Sequence, residues 1–161
     1  MLDILWYNKA YIEHACFVLL FLVALRRGAA PERILTGTIA GIVIVHRIYH
    51  LIVGNEGIIW READMGHLAL DCVSFAVVIP VALRANRVYP LWIGAAQIIA
   101  MMAHGYRLSL TDINLFAYQM MSMIPSYIQL AALTLGLIWH ISRHKRIGDY
   151  PSWSNALPPP R

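Results

Sequence analysis

A chain of 161 residues that is 59% hydrophobic and only 14% charged, with its apolar residues gathered into blocks, does not have the composition of a soluble domain. The net charge of +4 and the pI near 9.3 would suit a nucleic-acid partner only if basic residues were interleaved with aromatics on a solvated face. No segment offers such a face, so nucleic acid is excluded as a partner and the lipid bilayer takes its place.

Each block is about as long as the roughly 20 residues a helix needs to cross a hydrocarbon core of about 30 Å. The expected fold is all-α, a polytopic transmembrane up-and-down bundle of about five helices. The first ten residues hold Trp6 and Tyr7, which suit the headgroup layer, and lack the basic start of a cleavable signal, so the first span is expected to be retained. Spans are placed at 11–25, 34–53, 65–83, 88–107 and 114–140, joined by turns at 28–31, 54–57, 84–87 and 109–112. Pro80 and Pro125 are expected to kink the third and fifth spans without breaking them. In the second span Gly37 and Gly41 form a Gly-x-x-x-Gly pair expected to let a neighbouring helix approach closely. Residues 1–146 make the membrane domain, and 147–161, ending in a proline run, reads as a flexible or extended tail.

Positive charges prefer the cytoplasmic side of short loops. Of the 13 basic residues, Arg26, Arg27, Arg33, Arg84, Arg87, Arg143, Lys145, Arg146 and Arg161 fall on one side. Lys9, Arg61 and Arg107 fall on the other, and Arg47 lies within a span. That asymmetry places the N-terminus outside and the C-terminus inside, in a membrane expected to be the bacterial cytoplasmic membrane.

With this orientation, polar residues crowd the outer half of the bilayer. Glu13 and His14 open the first span, His46, Arg47 and His50 close the second, and His67 and Asp71 open the third. His104, Tyr106 and Arg107 close the fourth, and Asn114, Tyr118, Gln119 and Ser122 open the fifth. Glu56, Arg61, Glu62 and Asp64 would lie over them as an acidic lid. Residues four apart share a helical face, so His46 pairs with His50 and His67 with Asp71, while Gln97 lies seven before His104. By helical rise, His46 and Asp71 lie roughly 10 Å below the outer boundary, with His50, His67 and His104 nearer to it. The inner half carries no comparable set, and His140 and His144 there read as ordinary interface residues.

An ionisable group in hydrocarbon costs about 2.5–3.5 kcal/mol even on lenient scales, so these groups must point inward and find partners. One arrangement is a metal site, because His-x-x-x-His presents two imidazoles to one ion. His46, His50, His67, Asp71 and His104 are then the candidate ligands of a divalent metal such as zinc, with Glu13, His14, Arg47, Gln97, Arg107 and Tyr118 around the cavity. Membrane hydrolases that hold zinc on three histidines near an aspartate are similar in chemistry. A haem held by histidines of two helices, with Arg47 or Arg107 on its propionates, is a second arrangement. The bland alternative is that the same groups are interhelical glue. Cys16 and Cys72 read as packing residues, and nucleophile-elbow, phosphate-loop and Cys-x-x-Cys motifs are absent.

The stretch from Asn86 to Gln97, reading Asn-Arg-Val-Tyr-Pro-Leu-Trp-Ile-Gly-Ala-Ala-Gln and running on to His104, resembles a segment of small bacterial multi-pass membrane proteins of no assigned function. The resemblance spans the third to fifth blocks and implies a polytopic bacterial membrane protein, with no site residue to carry over. Three roles remain open: an accessory or binding subunit of a larger assembly or an oligomer, a metal- or haem-dependent enzyme, and a small transporter or channel subunit.

The charge asymmetry generates a direct test. A reporter fused after Arg161 is expected in the cytoplasm and one inserted at Asn55 outside; the reverse labelling would invert the orientation.

Overall fold

A computed structural model describes residues 2–53, 65–109 and 115–154. The 54–57 and 109–112 turns, the residues of the acidic lid, Asn114, the side chains of Trp6, Tyr7, Tyr118 and Gln119, and the tail beyond 154 fall wholly or largely outside what is described.

Five helices follow one another: α1 (Leu2–Arg27), α2 (Ala30–Val53), α3 (Met65–Arg84), α4 (Tyr89–Ser109) and α5 (Leu115–Ile147). Each packs on the next, and α5 returns to touch α1 and α2, closing the bundle. Four segments, Asn8–Arg27, Ala30–Ile52, Met65–Arg84 and Met120–Ile147, are long and apolar enough to cross a membrane. The fifth helix, α4, has 21 residues, about 31 Å at the α-helical rise, and lies between α3 and α5. Large apolar side chains such as Leu19, Ile44, Leu83, Trp92 and Trp139 point outward, as an integral membrane protein requires.

The second helix starts four residues before the sequence suggested. Pro31, which lacks an N–H to leave unpaired, sits in its first turn, and the Glu32 carboxylate reaches back to accept the Ala29 N–H at 3.1 Å. The turn before it is tight. A side chain at Gly28 would collide with the Ala24 carbonyl and the Glu32 Cβ. Neither Pro80 nor Pro125 ends its helix, and α5 runs on to Ile147. There Gly148, at φ +74°, donates to the His144 carbonyl at 2.9 Å, the left-handed stop that glycine alone adopts without strain.

The start of the tail has a fixed place. Asn86 N–H donates to the Ser152 carbonyl at 3.0 Å and Ser154 N–H to the Arg84 carbonyl at 2.8 Å, pinning 152–154 to the α3–α4 turn. Trp153 packs on the core there. That core, built around Leu35, Ile39, Val78, Val81, Tyr89, Ile93 and Leu133, occupies the half of the bundle where these turns lie. The opposite half, where α2 and α4 end, holds His14, His46, His50, His67 and His104.

Close helix contact is made where the sequence did not place it. A side chain at Gly37 would meet the Phe21 ring of α1 at 3.0 Å, but one at Gly41 would meet nothing within 4 Å. The expected Gly-x-x-x-Gly contact is therefore only half present. The tightest approach is at Gly136 of α5, whose missing Cβ leaves room for the Tyr89 ring. Gly136→Ala is expected to lower thermal stability in detergent by about 1–3 kcal/mol through overpacking. Gly41→Ala is expected to leave it unchanged, and equal effects would remove the assignment.

Candidate metal centre and its neighbouring polar network

The last two turns of α2 and the first turn of α3 bring three imidazoles together. His46 and His50 lie one turn apart on α2, with ring centroids 4.6 Å from each other, and the His67 ring lies 4.7 Å from the first and 5.2 Å from the second. One nitrogen from each ring falls within 4.8 Å of the other two. His50 Nε2 and His67 Nε2 are 3.4 Å apart. All three side chains are half-buried, and His50 Nδ1 is buried with no hydrogen-bond partner. Gly66 contributes by its size: a side chain there would strike the Tyr49 ring, so glycine lets α3 start against α2.

His14 and Arg47 border the cluster. The His14 ring is 6.0 Å from that of His46, edge to face. Arg47 Nε donates to His14 Nδ1 at 2.9 Å, and its guanidinium lies 4.2 Å over the Tyr11 ring. The cation is thus turned toward α1, away from the imidazole triangle. Glu13 faces Ser126 on α5 and Arg107 is half-buried near the end of α4, while the side chain of Tyr118 lies outside the described structure.

Asp71 and His104 do not join the triangle. They pair with each other, Nε2 to Oδ2, at 2.9 Å. The expected depth match of His46 with Asp71 is replaced by His46 against His67, because the α2–α3 crossing brings the first turn of α3 alongside the histidines and leaves Asp71 facing α4. Gln97 organises what surrounds Asp71. Its amide Nε2 donates to Asp71 Oδ1 at 3.1 Å and to the Asp71 carbonyl at 3.2 Å. Its Oε1 accepts from Ser74 Oγ at 3.1 Å and from Gln129 Nε2 at 2.9 Å. All four bonds an amide can make are made, on a side chain only 2% exposed. One residue thereby ties α3, α4 and α5 together. Of the five candidate ligands, three converge and two are interhelical glue.

A second polar cluster, at the other end of the bundle, corrects the expectation of an inner half without one. Glu32 is 1% exposed. Its Oε1 accepts from the Tyr89 hydroxyl at 3.1 Å and lies 3.1 Å from Arg87 Nε, an attraction of charges, since that N–H is poorly aligned for a hydrogen bond. Arg87 Nη2, at 3.2 Å, and the Tyr150 hydroxyl, at 2.6 Å, both reach His140 Nδ1, which must accept because a guanidinium only donates. His140, read as an ordinary interface residue, is buried in this network. The signal in the sequence was Glu32 itself, an acid one residue past a proline at the edge of an apolar block.

Gln97→Ala is expected to cost at least about 1–3 kcal/mol, since it strands Gln129 and Asp71. Ser74→Ala should cost no more than about 1 kcal/mol, because only one bond is lost and its partner keeps another. Denaturation in a mild detergent checks both, and a silent Gln97→Ala would show that the network carries no stability.

No family model, curated protein or solved structure matches this chain, so the reading of its function rests on the chemistry of these sites.

Proposed function

We propose that this integral membrane protein binds a zinc-class divalent metal on His46, His50 and His67, as a metal-binding subunit working within the bilayer with partners or with copies of itself. The observation that carries this is the 3.4 Å separation of two Nε2 atoms. With zinc–nitrogen bonds of about 2.0–2.1 Å, neighbouring corners of a tetrahedron lie about 3.3–3.4 Å apart. The third nitrogen, within 4.8 Å of the others, has to close by at most about 1.4 Å, a side-chain rotation. Three neutral imidazoles suit zinc, copper or nickel better than the hard, oxygen-seeking magnesium or calcium. Rings packed edge to face this closely leave no slot between them for a porphyrin, which disfavours haem at this triangle. On the charge-based orientation the site opens to the exterior.

Three protein ligands leave a fourth position for water or substrate, the pattern of catalytic zinc. That favours a metal-dependent membrane enzyme as the second reading. The Asp71–His104 pair would supply a carboxylate one turn further along α3 from His67.

Protein purified with chelator and titrated with zinc is expected to take up one equivalent. Cobalt in its place should give the intense visible absorption of a tetrahedral site. His50→Ala should weaken uptake at least about a hundredfold with helicity retained, whereas His104→Ala should bind zinc as the wild type does. A wild type that takes up no metal, or equal losses in the two variants, would refute the triangle as the site.

A further inference from the structure

At the end of the bundle away from the His46–His50–His67 triangle, the last turn of α1, the start of α2 and the last turns of α5 form a half-open cavity of about 600 Å³. Arg26, Arg27, Arg33 and Lys145 line it, with Asp149 as its one carboxylate. Asp149 is fully exposed and lies 3.4 Å from His144 Nδ1. Glu32, the other acid of this end, is consumed by Arg87, Tyr89 and the Ala29 N–H. Among the described residues, none of the four cations has a carboxylate partner. The wall opposite them is fixed. Tyr150, which also lines the cavity, donates to His140 and lies under the guanidinium groups of Arg87 at 5.0 Å and Arg143 at 4.4 Å.

We infer that this cavity binds a phosphate-bearing anion. Four exposed cations lining one half-open volume, without a carboxylate partner among the described residues, create a positive potential that a dianion relieves, and three of them are arginines, whose forked donors match phosphate oxygens. Gly28 and Ala29, at the start of α2, also line the cavity. The volume exceeds that of a single phosphate and suits a diphosphate or the glycerophosphate headgroup of an anionic lipid. Basic pockets between helices at the headgroup level take such headgroups. This site shares no residue with the histidine triangle and does not depend on it.

Pyrophosphate titrated by calorimetry tests the soluble source, and nanodiscs of phosphatidylcholine with or without phosphatidylglycerol test the lipid one, by thermal stabilisation and by lipid retained after extraction. Binding in either arm supports the proposal, and the arm that responds identifies the source. The double variant Arg26→Gln/Arg33→Gln is expected to weaken the response on the order of tenfold or more. Arg84→Gln, which removes a charge at the same end but outside the cavity, should change it less than about twofold. Circular dichroism controls for folding, and on wild type raised salt should suppress binding. No response in either arm, or an equal loss in Arg84→Gln, would overturn the site.

Discussion

The Glu32 carboxylate is the interaction on which one whole end of the bundle depends. It caps α2 through the Ala29 N–H, holds the Tyr89 hydroxyl at the start of α4, and neutralises Arg87 in the α3–α4 turn. Through Arg87 it reaches His140 and Tyr150, and so fixes the end of α5 and the residues after it. Removing one member of a buried ion pair costs about 3–5 kcal/mol because the other is left uncompensated. With Glu32 only 1% exposed, water has little access to the carboxylate, so these partners hold one another in place. The Tyr89 ring, fixed by its hydroxyl, then fills the gap that Gly136 leaves, which sets the α4–α5 approach.

A second layer, at Gln97, does for α3, α4 and α5 what Glu32 does for the turns. The two layers differ in kind. Glu32 is a charge that needs an opposite charge, whereas Gln97 is a neutral amide whose two donors and two lone pairs are all used. Between them lies the apolar core of Leu35, Val78, Ile93 and Leu133. The two polar layers are thus separate clamps with a dry layer between, and the core sits where helix spacing is already set at both sides.

How much of this was legible in the sequence follows from whether the cause was local. Helix number and order were legible because apolar block length is a local property, and the 28–31 turn fell close to where its glycine and proline stand. The start of α2 was missed by four residues because Pro31 is both a turn former and a good first-turn residue, and only the Glu32 cap decides between them. Gly41 was misread because a Gly-x-x-x-Gly spacing says that a helix could approach, and only the bundle says whether one does. His46, His50 and His67 do lie together, since two share a helical face and the third opens the next helix. Asp71 was grouped with them by its shared face with His67 and by depth, and His104 by depth, and neither criterion tells which neighbouring helix a residue turns to. The Glu32 network was invisible for the same reason, since directly bonded partners in it, such as Glu32 and Tyr89, lie as far as 57 residues apart in the chain.

What separates the histidine triangle from the other polar groups is convergence, with one nitrogen from each ring within 4.8 Å of the other two. Gln97 and Glu32 instead spend their polar atoms on fixed partners in neighbouring helices and turns. Sited away from the apolar core, these rings are not needed to hold the helices, which α3, α4 and α5 do through Gln97 and the core does by packing. A bundle selected for stability alone would lose nothing by replacing such a triangle with apolar side chains, which pack without a polar group to satisfy. Three ring nitrogens within 4.8 Å of one another are close enough for side-chain rotation to bring them onto one dication.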